Sequence, residues 1–541
     1  MSSAQMSHPP KAQNEIPSDR ERPAASQPAS AAPQTNVFAV HGADPEVQAY
    51  AMAKYSRSAL SMRESLKEIS EQKAEQFLNT FYFQYGHRSI ADLAHAAFAI
   101  ERLSLLAAIS LVDEQRWDGQ ERSTRYQNFK KSGFYTPDFA DDSASQQLYT
   151  QTAQFLFAEY EGFSEAMFHH LAGRTPKPAE MEQAAYDRTL KARAFDISRY
   201  LLPLATNTSL GQIVNARTLE TQVARLLSEN YSEIRQLGDM LKQAARQPAF
   251  NVDHVRLASV MQKIQAISPE LAEEIKPELM REVRVAPTLV KYAQANDYAM
   301  QTRRDLQQAA RELMKGAAIA PSRPVELLEG DPLEIELATT LLYGNCHYSY
   351  RQLREAVAAL DAPARDEIID LGMRHRGKHD ELLRPFCAGQ KFRFDILMDI
   401  GGFRDMHRHR RCTQIDQGYS SAHGYDTPEE ITQAGGDLAK RYQQTMQHAS
   451  QAMATIAATQ TPEAGQNSHY LLPLAYRKRC LFNMDFAEVV YISELRTTPA
   501  GHTSYRNVAY GMYEETVKRY PAFAKYFRVT DVREPVDLLK R

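Results

Sequence analysis

Phe403-Arg-Asp-Met-His-Arg-His-Arg-Arg-Cys-Thr-Gln414 opens the stretch 404–424 and follows an apolar run, Phe394–Gly402. A core element therefore delivers Arg408, His409 and Arg410 as a packed set of donors. Such a cluster repels itself and calls for an anion. Guanidinium forks bind phosphate in a bidentate way and stack on planar rings. A solvated basic face is the common alternative, but the flanking Phe, Ile and Met argue against full exposure. A metal site needs more ligands, because His407 and His409, two apart, supply only a pair. Nucleic acid calls for a wider basic field than a chain with 64 Lys and Arg against 67 Asp and Glu provides. The cluster points to a phosphate-bearing ligand.

Arg408-His409-Arg410 resembles the opening of the signature of the flavin-dependent thymidylate synthases, ThyX. There Arg-His-Arg is followed, after seven residues, by Ser-x-Arg, with a Glu two before the Ser. Here the matching later places hold Asp416, Gly418 and Ser420. The missing part stands elsewhere: residues 121–126 read Glu-Arg-Ser-Thr-Arg-Tyr, and the places where Arg-His-Arg belongs hold Asp113, Glu114 and Gln115. Each half of the chain keeps one half of the motif, which reads as an internal duplication with divided labour. Tyr200-Leu-Leu-Pro-Leu-Ala205 repeats as Tyr470-Leu-Leu-Pro-Leu-Ala475, the first preceded by Arg199 and the second by His469. Asp44-Pro45-Glu46 is echoed by Asp331-Pro332-Leu333-Glu334. Asn215-Ala216-Arg217 matches the family's Asn-Ala-Arg, and Tyr85-Gly86-His87-Arg88-Ser89 its Gly-His-x-Ser. Leu495-Arg496 fits the late Arg; in the first half Arg225 fits only with a shift.

The 541 residues divide accordingly. Residues 1–36, rich in Ser, Ala, Pro and Gln, read as a disordered tail. An N-terminal repeat spans 37–316, with a charged helical extension from about 250 whose role stays open between packing and bridging. A linker, 317–324, leads to a C-terminal repeat, 325–541. The expected fold is α+β and helix-rich: two tandem ThyX-like repeats. Helical spacing covers 45–55, 59–83, 144–171, 178–200, 216–247, 334–360, 363–375, 428–460 and 484–519, and Phe392–Gly402 reads as a core strand. Ser89 with Asp92 is either a helix cap or a binding segment. Trp117 reads as a packing residue, and Arg374-His375-Arg376 as a charge cluster at a helix end. Four cysteines without metal-type spacing and no membrane-length apolar run make the cytoplasm the default expectation. No metal, membrane or nucleic-acid partner is expected.

The resemblance implies methylation of dUMP to dTMP, with methylenetetrahydrofolate as carbon donor, reduced FAD as hydride donor and NADPH as reductant of the flavin. It assigns Glu121, Ser123, Arg125, Arg199 and Arg496 to dUMP. It assigns Arg408, His409, Arg410, Asn215, Arg217 and His87 to FAD, with Arg408, His409, Arg410 and Arg496 catalytic. Ser123 has no visible base and is not read as a nucleophile, and Cys412 is read as incidental. The surviving residues sort by repeat, which implies one composite site, and a fused chain would form a pseudo-tetramer as a homodimer. A scaffold that has lost turnover is the alternative.

Overall fold

The computed structural model describes residues 42–54, 88–328, 332–375, 383–387, 392–459, 463–484, 486–521 and 527–535, with a few isolated positions besides. The tail at 1–36, all but two positions of the helix expected at 59–83, His87 and Arg376 lie outside the described residues. Residues 44–541 make one compact unit that holds both repeats.

The two halves run the same course. In the first, strand β1 (His95–Ser104) turns into the short helix α2 (Leu105–Leu111), after the N-terminal α1 (Pro45–Lys54). Strand β2 (Asp118–Glu121), the long helix α3 (Ser143–Arg174), α4 (Gln183–Ser198) and strand β3 (Asn207–Asn215) follow. β3 lies between β1 and β2, antiparallel to both. Helices α5 (Ala216–Leu227) and α6 (Ser232–Arg246) close the repeat, so the helix expected over 216–247 breaks at Ser228–Tyr231. The extension supplies α7 (His254–Ile267), α8 (Pro269–Leu279) and α9 (Asp297–Leu313). The second half adds an edge strand, β4 (Val325–Leu327), then α10 (Leu333–Tyr343), α11 (Tyr350–Ala358) and α12 (Ala362–Met373). β5 (Phe392–Asp399), α13 (Ile400–Met406), β6 (Thr413–Asp416), α14 (Glu429–Ala434), α15 (Gly436–Ala457), α16 (Ala464–His469), β7 (Arg477–Met484), α17 (Phe486–Arg496) and α18 (Thr503–Arg519) complete it. Its sheet order is β4-β5-β7-β6.

β5 shows why a strand with charges sits in the core. Phe392, Phe394, Ile396 and Met398 point to one face and are almost fully buried. Arg393 and Asp395, on the other face, are also buried, beneath α10 and α11. They survive there because each is paired: Arg393 with Glu336 at 3.1 Å and the Tyr350 hydroxyl at 2.8 Å, and Asp395 with Arg479 at 2.8 Å and the Tyr343 hydroxyl at 2.7 Å. A second apolar cluster lies outside this sheet, where Leu306 and Ala310 of α9 join Leu341, Leu342 and Leu353 against Ile415 and Leu481. The last helix of the extension thus packs on the second repeat.

The repeats join through their duplicated hexapeptides. Leu204 and Ala205 N–H donate to the carbonyls of Leu472 and Tyr470 (2.8 and 2.7 Å); Leu474 and Ala475 N–H donate back to Leu202 and Tyr200 (2.9 and 3.2 Å). The arrangement is reciprocal about a pseudo-twofold through Pro203 and Pro473. Leu201, Leu202, Leu204, Leu471, Leu472 and Leu474 are fully buried there, each stabilising the fold by about 1.5–3 kcal/mol. Each hexapeptide also receives the start of its own repeat's short helix: Leu106 N donates to Leu204 O and Gly401 N to Leu474 O. Beside this axis α3 and α15 pack together, where Glu159 takes both Arg441 Nε and Nη2 (2.6 and 2.9 Å) and the Thr445 hydroxyl (3.2 Å).

The caps of α2 and α13 use the same geometry with exchanged chemistry. Ser104 caps α2, and its N–H and Oγ donate to the Glu233 carboxylate near the start of α6 (2.8 and 2.6 Å). Asp399 caps α13 and accepts from Ser504 near the start of α18. We expect Ser104→Ala to lower the unfolding free energy by about 1–3 kcal/mol, since it removes a cap and strips a buried carboxylate of its hydroxyl donor, leaving only the backbone N–H. The double variant Ser104→Asp/Glu233→Ser, which transplants the second repeat's pair, should recover part of that loss in urea unfolding.

Candidate functional site

Helix α13 starts with Gly401-Gly402 for a steric reason. A Cβ on Gly402 would sit 2.5 Å from Ser504 Oγ, and one on Gly401 would crowd Asp399 Oδ1 at 3.1 Å, with the Arg199 guanidinium at contact distance, 3.5 Å. The bare backbone lets Arg199, from the first repeat, lie against the helix that carries Arg404 and Asp405 and leads to Arg408, His409 and Arg410.

From there a chain of alternating charges crosses between the repeats. Arg125 grips Asp196 with Nε and Nη2 (2.9 and 3.1 Å) and donates to the Tyr505 hydroxyl and the Ala500 carbonyl, both at 2.9 Å. Asp196 lies 3.6 Å from Arg199 Nε, Arg199 Nη1 lies 3.4 Å from Asp405, and Asp405 pairs with Arg408 at 2.7 Å. Arg404 pairs with Glu121 and donates to Thr124 Oγ1 at 3.3 Å. Tyr505 lies between two guanidiniums, its ring 5.6 Å from Arg125 and 5.5 Å from Arg496. Arg496 Nε donates to His409 Nε2 at 2.7 Å. His409 must therefore carry its proton on Nδ1, which faces Glu488 at 3.6 Å.

The charge states follow from burial and neighbours. Burial alone would raise Asp196, but His502, Arg125 and Arg199 hold its carboxyl well below the usual range. His502 is pushed down to about 3 by burial and the Arg199 charge, so at neutral pH it offers Asp196 an N–H dipole and the two guanidiniums carry the effect. Asp405 is likewise lowered against its burial, by Arg199 and Arg408. His409 is lowered chiefly by burial and stands as the neutral imidazole that Arg496 needs.

The structure thus brings Glu121, Ser123, Arg125, Arg199, Arg408, His409 and Arg496 into one region; the Ser123 hydroxyl accepts from Arg125 N at 3.2 Å. Arg410 turns away from that network, toward Asp118 at 3.3 Å and over the buried Trp117 ring at 5.6 Å. Asn215 spends its side-chain oxygen capping α5, accepting from Thr218 N, and Arg217 pairs with Asp92 at 3.3 Å. Asp92 also takes Arg116, which accounts for its carboxylate outside any cap. Cys412 is buried with its thiol pushed up to about 12 by burial. Sequence reasoning passed over Asp196, Asp405, Arg404 and Tyr505. Asp196 stands three before Arg199 and Asp405 three before Arg408, the one local sign of pairing.

Across the pseudo-twofold the same places are filled differently. Glu114, where His409 has its counterpart, pairs with Arg225 at 2.9 Å, and Asp113 pairs with Arg384 at 2.7 Å. Arg225, out of register by one residue in sequence, still faces its partner as Arg496 faces His409. His469, opposite Arg199, is hydrogen-bonded through Nδ1 to the Tyr231 hydroxyl at 2.9 Å and is pushed down to about 4 by burial. Here carboxylates of the chain itself neutralise the guanidiniums.

A family model described as thymidylate synthase complementing protein (Thy1) matches residues 38–249 and 334–522. A UPF0159 protein of Chlamydia pneumoniae is 28% identical over 544 residues, 93% of each chain. A UPF0159 protein of Thermoplasma acidophilum is 23% identical, over 89% of this chain and 94% of its own. A flavin-dependent thymidylate synthase of Clostridium tetani is 23% identical over 211 residues, 37% of this chain and 81% of that one. Among solved structures, ThyX from Helicobacter pylori complexed with FAD and dUMP aligns at 15% identity and TM-score 0.23, covering 37% of this chain and 89% of that one. The UMP/dUMP methylase PolB from Streptomyces cacaoi aligns at 17% and 0.27, over 37% of this chain and 84% of that one.

Asp399, whose cap aims the whole cluster, sets a pH dependence. Burial lifts its carboxyl to about 6, with Ser504 and Arg199 opposing. In the unfolded chain the group titrates near 4. Between these values the unfolded chain has released the proton and the folded one keeps it. Its contribution is therefore complete below about pH 4 and lost as pH rises through 6, on the order of 2–3 kcal/mol. Asp399→Asn, which keeps an oxygen for the cap, should flatten the fall of Tm between pH 4 and 6; an unchanged profile would remove Asp399 as its source.

Proposed function

The chain belongs to the thymidylate synthase complementing protein family, and from that premise we propose that it is a flavin-dependent thymidylate synthase. It would convert dUMP to dTMP with methylenetetrahydrofolate as carbon donor, reduced FAD as hydride donor and NADPH as reductant of the flavin. The observation that carries the reading is the convergence of residues kept separately by the two repeats. Arg125 and Arg199 come from one and Arg408, His409 and Arg496 from the other, yet they form one network.

The donors suit a nucleotide and a flavin. Within this cluster Arg199 Nε and Nη2 and Arg404 Nε are buried without a hydrogen-bond partner, a set that a phosphate would complete. Arg408 and Arg410 are 38% and 30% exposed on either side of the buried His409. They can hold a large polyanionic cofactor from outside while His409 stays fixed. In this reading Arg199, Ser123, Glu121 and Arg496 bind dUMP, and Arg408, His409, Arg410, Asn215, Arg217 and His87 hold FAD. Arg125 keeps the nucleotide pocket in shape through Asp196 and Tyr505. His409 orients Arg496, and Arg408 with Arg496 stabilises electron density developing on the uracil ring, a preorganised electrostatic effect. When bound, the flavin supplies the hydride chemistry. One ligand set per chain follows, because the mirrored place is occupied by Glu114–Arg225 and Asp113–Arg384.

A second reading, a ThyX-like protein without turnover, draws on Arg125, which gives most of its donors to Asp196, Tyr505 and Ala500. The two readings separate in solution. A synthase takes up FAD, shows flavin bands that shift on addition of dUMP, and forms dTMP. Arg410→Ala and Arg125→Ala should each lower kcat/KM by about 10²–10³-fold. Mixing the two variant proteins should restore nothing, since both residues serve one site of one chain. A colourless protein that binds no FAD establishes the second reading, and full activity in either variant overturns the residue roles.

A further inference from the structure

Behind the charged network lies a cavity of about 700 Å³, walled by both repeats. None of Arg125, Arg199, Arg408, Arg410 or Arg496 lines it; Asp196 and His502 stand in the wall between it and them. Its apolar side is Leu171, Ile197, Val325, Leu397 and Met398. Two arginines on its walls are more than nine-tenths buried: Arg193 of α4 and Arg506 of α18, at 8% and 3% exposure. Arg193 Nε and Nη2 and Arg506 Nη2 have no hydrogen-bond partner. Unpaired guanidinium nitrogens at such depth are costly unless something completes them.

Most of the other charges of the lining are paired within the protein, with Glu429 and Glu514 also on its wall. Arg477 pairs with Asp426 at 2.6 Å, Arg323 with Glu515 at 2.8 Å, and Asp196 with Arg125 at 2.9 Å. The fields of Asp196 and, more weakly, Glu430 reach Arg193 without offsetting its burial, and Glu430 is itself pushed above its ordinary value by burial. The lining thus combines two under-satisfied guanidiniums with an extended apolar wall, in a volume that fits a cofactor-sized molecule and far exceeds a bare inorganic anion.

We propose that this cavity is a second binding site, separate from the nucleotide and flavin site, for a small organic acid. Its oxyanion head pairs with Arg193 and Arg506, and its apolar body lies along Val325, Leu397 and Met398. The head group is a carboxylate or a phosphate monoester, since a guanidinium fork accepts either. The occupant is amphiphilic, because an anion alone leaves the apolar wall uncovered.

The test uses the whole purified protein and 8-anilinonaphthalene-1-sulfonate, an anion with an apolar aromatic body, read by its fluorescence. The expected result is saturable binding of one probe per chain. Arg193→Gln and Arg506→Gln should each weaken it at least tenfold, with Arg410→Ala leaving it unchanged. Asn507→Trp, an exposed position at the cavity edge, keeps every charge and should weaken binding by filling space; it serves if an arginine variant fails to fold. Hexanoate and hexyl phosphate are the two displacement arms, and the stronger competitor identifies the head group. Inorganic phosphate should displace the probe poorly. Binding that survives Arg193→Gln, Arg506→Gln and Asn507→Trp overturns the proposal, as does displacement by dUMP with loss in Arg410→Ala, which assigns the probe to the nucleotide site. A protein that fails to bind FAD but passes this test leaves the cavity site standing alone.

Discussion

Four backbone hydrogen bonds between two copies of Tyr-Leu-Leu-Pro-Leu-Ala hold the rest of the molecule in place. Each copy gives two N–H groups and takes two, so neither can shift without breaking both directions at once. Each copy also accepts the first turn of its own short helix. The helix that aims the arginine cluster is therefore indexed to the junction between the repeats. Proline at the crossing point costs the ladder nothing, since its missing N–H faces no acceptor there, and the buried leucines around it keep water from competing for the four bonds.

This indexing explains how so many guanidiniums are kept together. Arg125, Arg199, Arg404, Arg408 and Arg496 would repel one another in a low-dielectric interior, and the fold alternates them with Asp196, Asp405 and Glu121. Histidines between them stay neutral through burial and add no charge. The balance is local and incomplete: several guanidinium nitrogens are left without partners. Where the pseudo-twofold repeats the arrangement, Glu114 and Asp113 complete it instead. The difference between a place prepared for an external anion and one closed by the protein is thus a matter of two carboxylates.

Much of this was readable from the chain. The split motif, the duplicated hexapeptide and the sorting of arginines by repeat all rest on short runs of identical letters, and those letters sit at the junction and the cluster. The long helices α3 and α15 were equally plain from their spacing. What escaped were elements whose stability comes from remote partners. β7 begins Arg477-Lys478-Arg479, which carries no strand signal; Lys478 and Arg479 are buried there by Asp416 and Asp395. The helices expected over 216–247, 334–360, 428–460 and 484–519 each break, at 228–231, 344–349, Gly435 and 497–502, and tertiary packing decides where. Asp196 gave only its spacing from Arg199, and Tyr505 gave no sign, because Arg125, which bonds both, is far from each in sequence; Arg225 was obscured by a one-residue slip that the geometry absorbs.

The pair Glu159–Arg441 beside the pseudo-axis has a consequence of another kind. Taking Tyr149 and Tyr442 as matching points of α3 and α15, the mirrored positions are Ala452 and Leu148. One side of the axis is charged and the other apolar. Two identical subunits could never be arranged so, because every residue would appear on both sides and an ion pair would be bought twice. A single polypeptide carrying both halves escapes that rule: each substitution occurs once, and opposite flanks of one interface can drift apart. The exchanged caps, Ser104–Glu233 against Asp399–Ser504, are a further record of that freedom. Heterogeneity of this sort is inherited as one gene product, with no need to sort unlike partners from like ones during assembly.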